Sequence, residues 1–164
     1  MKALRTTGLT VMLAVALSGC GNDGDSAGAA AANRAADDYE ITQIVTKWHD
    51  AVTTKDIDLA MSLFADDAVF TIAGQSVAGK DQIRNFLGGQ GAPFKPQNHW
   101  TSLTHTPNIR HTLSGDRGTL FFECHYFDTG TRQLVSSVSA DSKVARIGGR
   151  WVFTSLVAGN AILG

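Results

Sequence analysis

The chain of 164 residues has little cysteine, little proline and no surplus of either charge. Two cysteines exclude a disulfide framework, and neither stands in the paired spacing of a metal site. Lys and Arg total 14 against 15 Asp and Glu, so the formal charge is −1. A chain without basic excess lacks the electrostatic footprint of a nucleic-acid binder. No long hydrophobic run is present either: the longest, near the N-terminus, is too short for a confident membrane span. What remains is a chain that is 43% hydrophobic, one domain's worth of polymer able to bury a core.

The first nineteen residues read as an address. Lys2 and Arg5 precede the apolar stretch GLTVMLAVAL at 8–17, which has the size of a secretory signal core. Leu17-Ser18-Gly19-Cys20 follows and resembles the lipobox of bacterial lipoproteins. That resemblance implies cleavage before Cys20 and lipid on its thiol. With Gly21 rather than Asp next, it further implies an anchor in the outer membrane, facing the periplasm. Cleavage would remove Lys2, Arg5 and no acid, leaving the mature chain near −3 with Cys124 as its only other thiol. An intramolecular disulfide is then impossible, whatever the compartment's redox state.

Residues 21–36, GNDGDSAGAAAANRAA, are small and polar, carry no apolar stripe, and are expected to form a flexible tether after Cys20. A domain is expected over 37–164. Ile41, Ile44, Val45, Trp48 and Val52 recur at helical spacing and predict a helix over 38–54. Asp38 suits its N-cap or first turn, and His49 and Thr53 fall on the flank of its apolar stripe. A second helix is expected over 57–64, a strand over 68–72 and a third helix over 82–87, closed by the Gly88–Pro93 loop. Strands are then expected over 100–113, 119–128, 133–147 and 150–157, separated by Gly-containing turns. Helices first and an antiparallel meander after is an α+β pattern.

Strand alternation says which side chains turn inward. Over 103–113 the odd positions are Leu103, His105, Pro107, Ile109, His111 and Leu113, whereas the even ones are all polar. His105 and His111 on a buried face are either satisfied core or interface histidines, or proton-transfer groups in a pocket. Over 134–146 the even positions, Ser142 among them, look inward, and Asp141 and Lys143 look outward. The 119–128 strand carries apolar residues on both faces, with Phe122, Cys124 and Tyr126 on one and Glu123 and His125 on the other. A metal site built from His105, His111 and His125 is disfavoured, because residues six apart on a strand cannot chelate one ion without a bend. Trp151, after Gly148-Gly149, reads as a core anchor.

Four pieces then occur in order: Trp48…Asp56-x-Asp58-Leu59; Leu63 through Phe70; Gly79-Lys80-x-x-Ile83-x-x-Phe86; and Arg146-x-x-Gly149-x-Trp151-x-Phe153. Over roughly 38–158 the chain resembles the SnoaL-like branch of the nuclear transport factor 2-like superfamily. The resemblance implies a cone: a strongly curved antiparallel sheet wrapped on about three N-terminal helices, enclosing a cavity. It implies no cofactor and a homodimer through the outer sheet face. Members include binding modules and cofactor-free lyases and isomerases that set acid–base groups in an apolar cavity.

Carried over residue by residue, the Asp that the dehydratase and dehydrochlorinase relatives use falls on Thr53, which is no general base at neutral pH. Their His falls on His105, or on Thr104 if Asn108-Ile109-Arg110 sets the alignment; inward parity favours His105. A polar pocket position of many relatives falls on Ser142. The expectation is therefore an envelope-anchored protein that holds a small apolar molecule, or docks an envelope protein. Its pocket would comprise Trp48, Val52, Thr53, Phe70, Phe122, Tyr126 and Ser142. The alternative is an acid–base enzyme using His105, with Glu123 or Asp128 as acid partner and Ser142 or Tyr126 steadying an oxyanion.

Overall fold

The computed structural model describes residues 23–89, 92–95, 97–102 and 108–160. The cleavage site, Cys20 and His105 lie outside them. Helix α1 spans Asp23–Thr54 and α2 spans Ile57–Ser62. Strands β1 (Phe64–Ile72) and β2 (Gln75–Ala78) precede α3 (Lys80–Gly89) and a short 3-10 turn at Ala92–Phe94. Five strands complete the chain: β3 (Trp100–Ser102), β4 (Arg110–Ser114), β5 (Arg117–Asp128), β6 (Leu134–Ile147) and β7 (Arg150–Asn160). Among the described residues no helix is long and apolar enough to cross a membrane.

The seven strands form one sheet in the order β2-β1-β7-β6-β5-β3, with β4 also on β5. It is antiparallel as expected except at one pairing, which makes it a mixed sheet. β1 runs parallel to β7, pairing Phe70 with Leu156 and Ile72 with Ala158. The other pairings are antiparallel. β5, β6 and β7 make the meander that alternation predicts, and Gly148 and Gly149, both at positive φ, form the tight turn between β6 and β7.

Helix α1 begins some fifteen residues before the predicted start, through the stretch expected to be a flexible tether. Alanine is the strongest helix former, and the packed half of α1 supplies the nucleus onto which an Ala-rich segment adds turns at little cost. Residues 27–36 remain exposed, so propensity rather than packing sustains that part. Asp38 consequently sits inside the helix, where its carboxylate meets His111 Nε2 at 2.9 Å. Its neighbour Asp37 contacts Arg146, whose guanidinium lies 4.9 Å over the buried Trp151 ring. Trp151 is the core anchor its position suggested.

α1 stops in a Schellman geometry. Lys55 adopts a left-handed φ of 62°, Asp56 N–H donates to Ala51 at 2.9 Å and Lys55 N–H to Val52 at 3.4 Å. Asp56 then caps α2, accepting from Leu59 N–H at 2.9 Å. The core lies between the helices and one face of the sheet. Phe64, Phe122 and Phe153 are almost fully buried there, with Phe153 5.2 Å from Phe64 and 6.0 Å from Phe122.

Candidate functional site

Above this core the helices and sheet do not meet, and a cavity of about 330 Å³ remains. α1 contributes Trp48, β1 contributes Phe70 and Ile72, and α3 contributes Phe86 and Leu87. Pro93 and Trp100 come from the connection that follows. The sheet side is Phe122, Cys124 and Tyr126 of β5, Ser136, Val138 and Ala140 of β6, and Leu156 and Ala158 of β7. These are the inward positions of three adjacent strands, so period-2 alternation builds the wall. None of the described lining residues carries a formal charge.

The aromatic residues are fixed by one another. Trp48 meets Phe64 and Phe94 edge-on at 6.2 and 5.8 Å, Phe70 lies 5.8 Å from Phe86, and Trp100 stacks on Tyr126 at 6.0 Å. The polar groups of the wall gather at one corner. The Trp48 indole lies near the Cys124 thiol and the Tyr126 hydroxyl and works against the rise in the pKa of each. Ser136 pairs directly with Tyr126 across β5 and β6. Burial raises the Cys124 thiol to about 12 and the Tyr126 phenol well above its ordinary value, so both stay protonated.

Next to the cavity, α1 is stitched to β3 by three polar side chains one turn or less apart. His49 Nδ1 pairs with Ser102 Oγ. Thr53 Oγ1 accepts from Ser102 N–H at 3.2 Å and lies 3.3 Å from Thr101 Oγ1. Lys55 Nζ donates to the Trp100 carbonyl at 2.6 Å. This seam holds β3 in place and with it Trp100. His49 is fully buried, and desolvation drives its pKa down from 6.5 to about 4, partly offset by the Asp50 charge. The ring is therefore neutral. His49 was not a predicted site residue, yet the i, i+4 ladder Ile41, Val45, His49, Thr53 was the signal for it.

Of the predicted pocket, Trp48, Phe70, Phe122 and Tyr126 line the cavity together. Val52 is core, fully buried and outside the wall. Thr53 belongs to the seam, at its solvent side. Ser142 faces inward as parity required, paired with buried Leu120 and Leu156, but lies outside the cavity wall, and its hydroxyl has no hydrogen-bond partner among the described residues. Both acids considered as partners for His105 have partners among the described residues. Glu123 faces away from the cavity, accepting from Asn108 at 3.0 Å beside His125 at 3.6 Å. Asp128 closes the β5–β6 turn, and the backbone N–H groups of Thr131 and Gly130 hold its pKa below the ordinary value, against the opposing effect of burial. Among the described residues no three His, Cys, Asp or Glu side chains form a metal-holding group.

An α+β cone with an apolar pocket between its helices and a mixed sheet defines the nuclear transport factor 2-like class, also described as cystatin-like. An NTF2-like protein of this fold from Novosphingobium aromaticivorans superposes with a TM-score of 0.73 at 16% identity, covering 88% of this chain and 94% of its own. The LinA-type3 hexachlorocyclohexane dehydrochlorinase of Novosphingobium barchaimii gives 0.64 at 17% identity, over 79% and 89%. A cystatin-like protein of unknown function from Nostoc punctiforme gives 0.66 at 15% identity, over 79% and 94%. At such identities the likeness is one of fold. The SnoaL-like domain family model matches residues 33–157, and the chain belongs to that family, in which the same cone serves ligand binders and cofactor-independent enzymes. No curated protein matches the chain.

Proposed function

We propose that this protein is a lipoprotein of the bacterial envelope, lipidated on Cys20, that holds a small, largely apolar molecule in its cone. The observation that carries the binding part is the cavity itself: about 330 Å³ walled by aromatic and aliphatic side chains, with a few neutral polar groups at one corner. Such a wall favours desolvation of an apolar guest and offers no ion-pair partner. Native mass spectrometry of the protein, purified gently from an envelope of its own type, tests this. A retained small-molecule mass supports the reading; a clean mass or a persistent protein partner counts against it. Labelled palmitate incorporation, lost in Cys20→Ala, tests the anchor.

The protein is further proposed to pair as a homodimer through the sheet face turned away from the helices. That face shows half-exposed Val157 beside Asp141, and Arg110 lies 4.3 Å over the Phe121 ring. A species of monomer mass at micromolar concentration overturns it. The enzyme alternative is supported by the dehydrochlorinase that shares the fold. It would use His105 as the proton acceptor. His105→Ala separates the two readings: an enzyme loses turnover and keeps its ligand.

A further inference from the structure

A second group of chemistry-bearing side chains lies outside the cone, on the sheet face turned away from it. On β5, Glu123 and His125 are two residues apart and share that face, and Ser137 of β6 stands directly opposite His125. Ser137 Oγ lies 2.8 Å from His125 Nδ1, and Glu123 Oε2 lies 3.6 Å from His125 Nε2. Glu123 is held in turn by Asn108, whose Nδ2 donates to the same carboxylate oxygen at 3.0 Å. The group is graded in exposure. The Glu123 and His125 side chains are 10% and 14% exposed, whereas Ser137 is only half-buried, so the hydroxyl is the member that solvent and solutes meet.

The order of protons along this row follows from what each group can accept. A carboxylate only accepts, so the ring proton of neutral His125 belongs on Nε2, facing Glu123. Nδ1 then carries a lone pair, and the 2.8 Å bond runs from the Ser137 hydroxyl to it. A hydroxyl donating to an imidazole that a carboxylate orients from its far side is the arrangement that makes serine a nucleophile. The strand beside it is apolar. A β-bulge leaves Val135 with no partner residue on β5, and Leu134 and Val135 are 42% and 41% exposed. Aliphatic surface next to the hydroxyl favours an apolar acyl chain over a charged one. The dimer contacts proposed above, at Asp141 and Val157, lie about 13 Å further along the face.

We propose that Ser137, His125 and Glu123 form an esterolytic site on the outer sheet face, separate from the cone, that takes short apolar acyl groups from activated carboxylic esters. Ser137 Oγ attacks the ester carbonyl carbon as His125 Nδ1 takes the hydroxyl proton. The bond from that carbon to the leaving oxygen breaks, and the leaving alcohol departs with the proton. Water then attacks the acyl-serine and gives a proton to Nδ1, which returns it to Ser137 Oγ as the carboxylic acid leaves. Glu123 is a positioning residue that keeps the ring oriented with Nε2 protonated. The full chain is treated with an alkyl fluorophosphonate, which phosphonylates activated serines with loss of fluoride, and the marked residue is read by peptide mass spectrometry. Ser137 should be marked in the folded protein and not in the heat-unfolded chain. His125→Gln should slow the marking about a hundredfold or more. Glu123→Gln should lower the limiting rate and leave unchanged the probe concentration that gives half of it, a split that mere loosening of the fold would not produce. Ser137→Ala, which removes one half-buried hydroxyl, should abolish hydrolysis of p-nitrophenyl butyrate while keeping the parent's melting temperature. No mark on Ser137 in a normally folded parent, equal marking in His125→Gln, or unchanged hydrolysis in Ser137→Ala overturns the proposal.

Discussion

Trp48 and His49 are neighbours on one helix, and each belongs to a different region. Trp48 lines the cavity, where the described wall is uncharged and its few polar groups keep to one corner. His49 opens the α1–β3 seam, which is tied by side-chain hydrogen bonds. The cavity leaves apolar surface uncovered, whereas the seam satisfies its polar groups internally and uses them to hold Trp100. Thr53, whose hydroxyl accepts from the Ser102 N–H, serves here as a clamp between α1 and β3. Position on a shared fold does not carry a role with it; the partners of the side chain do.

Four substitutions sharpen or break that contrast. Trp48→Ala removes a wall and the edge contacts to Phe64 and Phe94, and should lower unfolding free energy by about 3–5 kcal/mol with loss of any retained ligand. A stable variant that still carries its ligand would remove Trp48 from the cavity's essential wall. His49 comes next, through pH. The fold holds its ring neutral, so the unfolded chain takes up a proton first. Stability is intact above pH 6.5 and drains as pH falls toward about 4, by about 3 kcal/mol in full. Urea unfolding at several pH values should show this slope in the parent and a shallower one in His49→Gln.

Thr53→Val should cost about 1 kcal/mol by stranding the Ser102 N–H, with little change in ligand affinity. If affinity collapses while urea midpoints hold, Thr53 is a ligand contact after all. Lys55→Met should be mildest in stability, about 0.5 kcal/mol, since its ammonium, whose pKa partial burial lowers, gives up only the Trp100 carbonyl. Its effect should fall on ligand off-rate, as Trp100 loosens; an unchanged off-rate in stopped-flow would uncouple the seam from the cavity.

Much of this was legible in the residues. Period-2 alternation placed Ala140, Ser142 and Val144 inward, and Phe122 and Tyr126 on one face, because a strand's pleat leaves no choice once one face is buried. The parallel pairing of β1 with β7 was not legible, since alternation encodes faces and says nothing about neighbours. β2 escaped as well, being a four-residue edge strand with little buried surface. Within the site, aromatic spacing located the wall. Ser142 shares its parity with Ala140 yet misses the cavity, because parity gives the face of a strand and not how far along it a pocket extends. His49 was hidden by chemistry: a polar residue on a helix flank reads as solvated until its partner on β3 is known.

The parallel contact between β1 and β7 also governs the timing of assembly. A strand that starts at Phe64 waits for one that starts at Arg150 before its inner edge is covered. The cone can close only once β7 is available, and loops this long make closure slow. Until then the inward aromatic residues have no finished wall to join, and a truncation before β7 would leave an open sheet instead of a smaller cone.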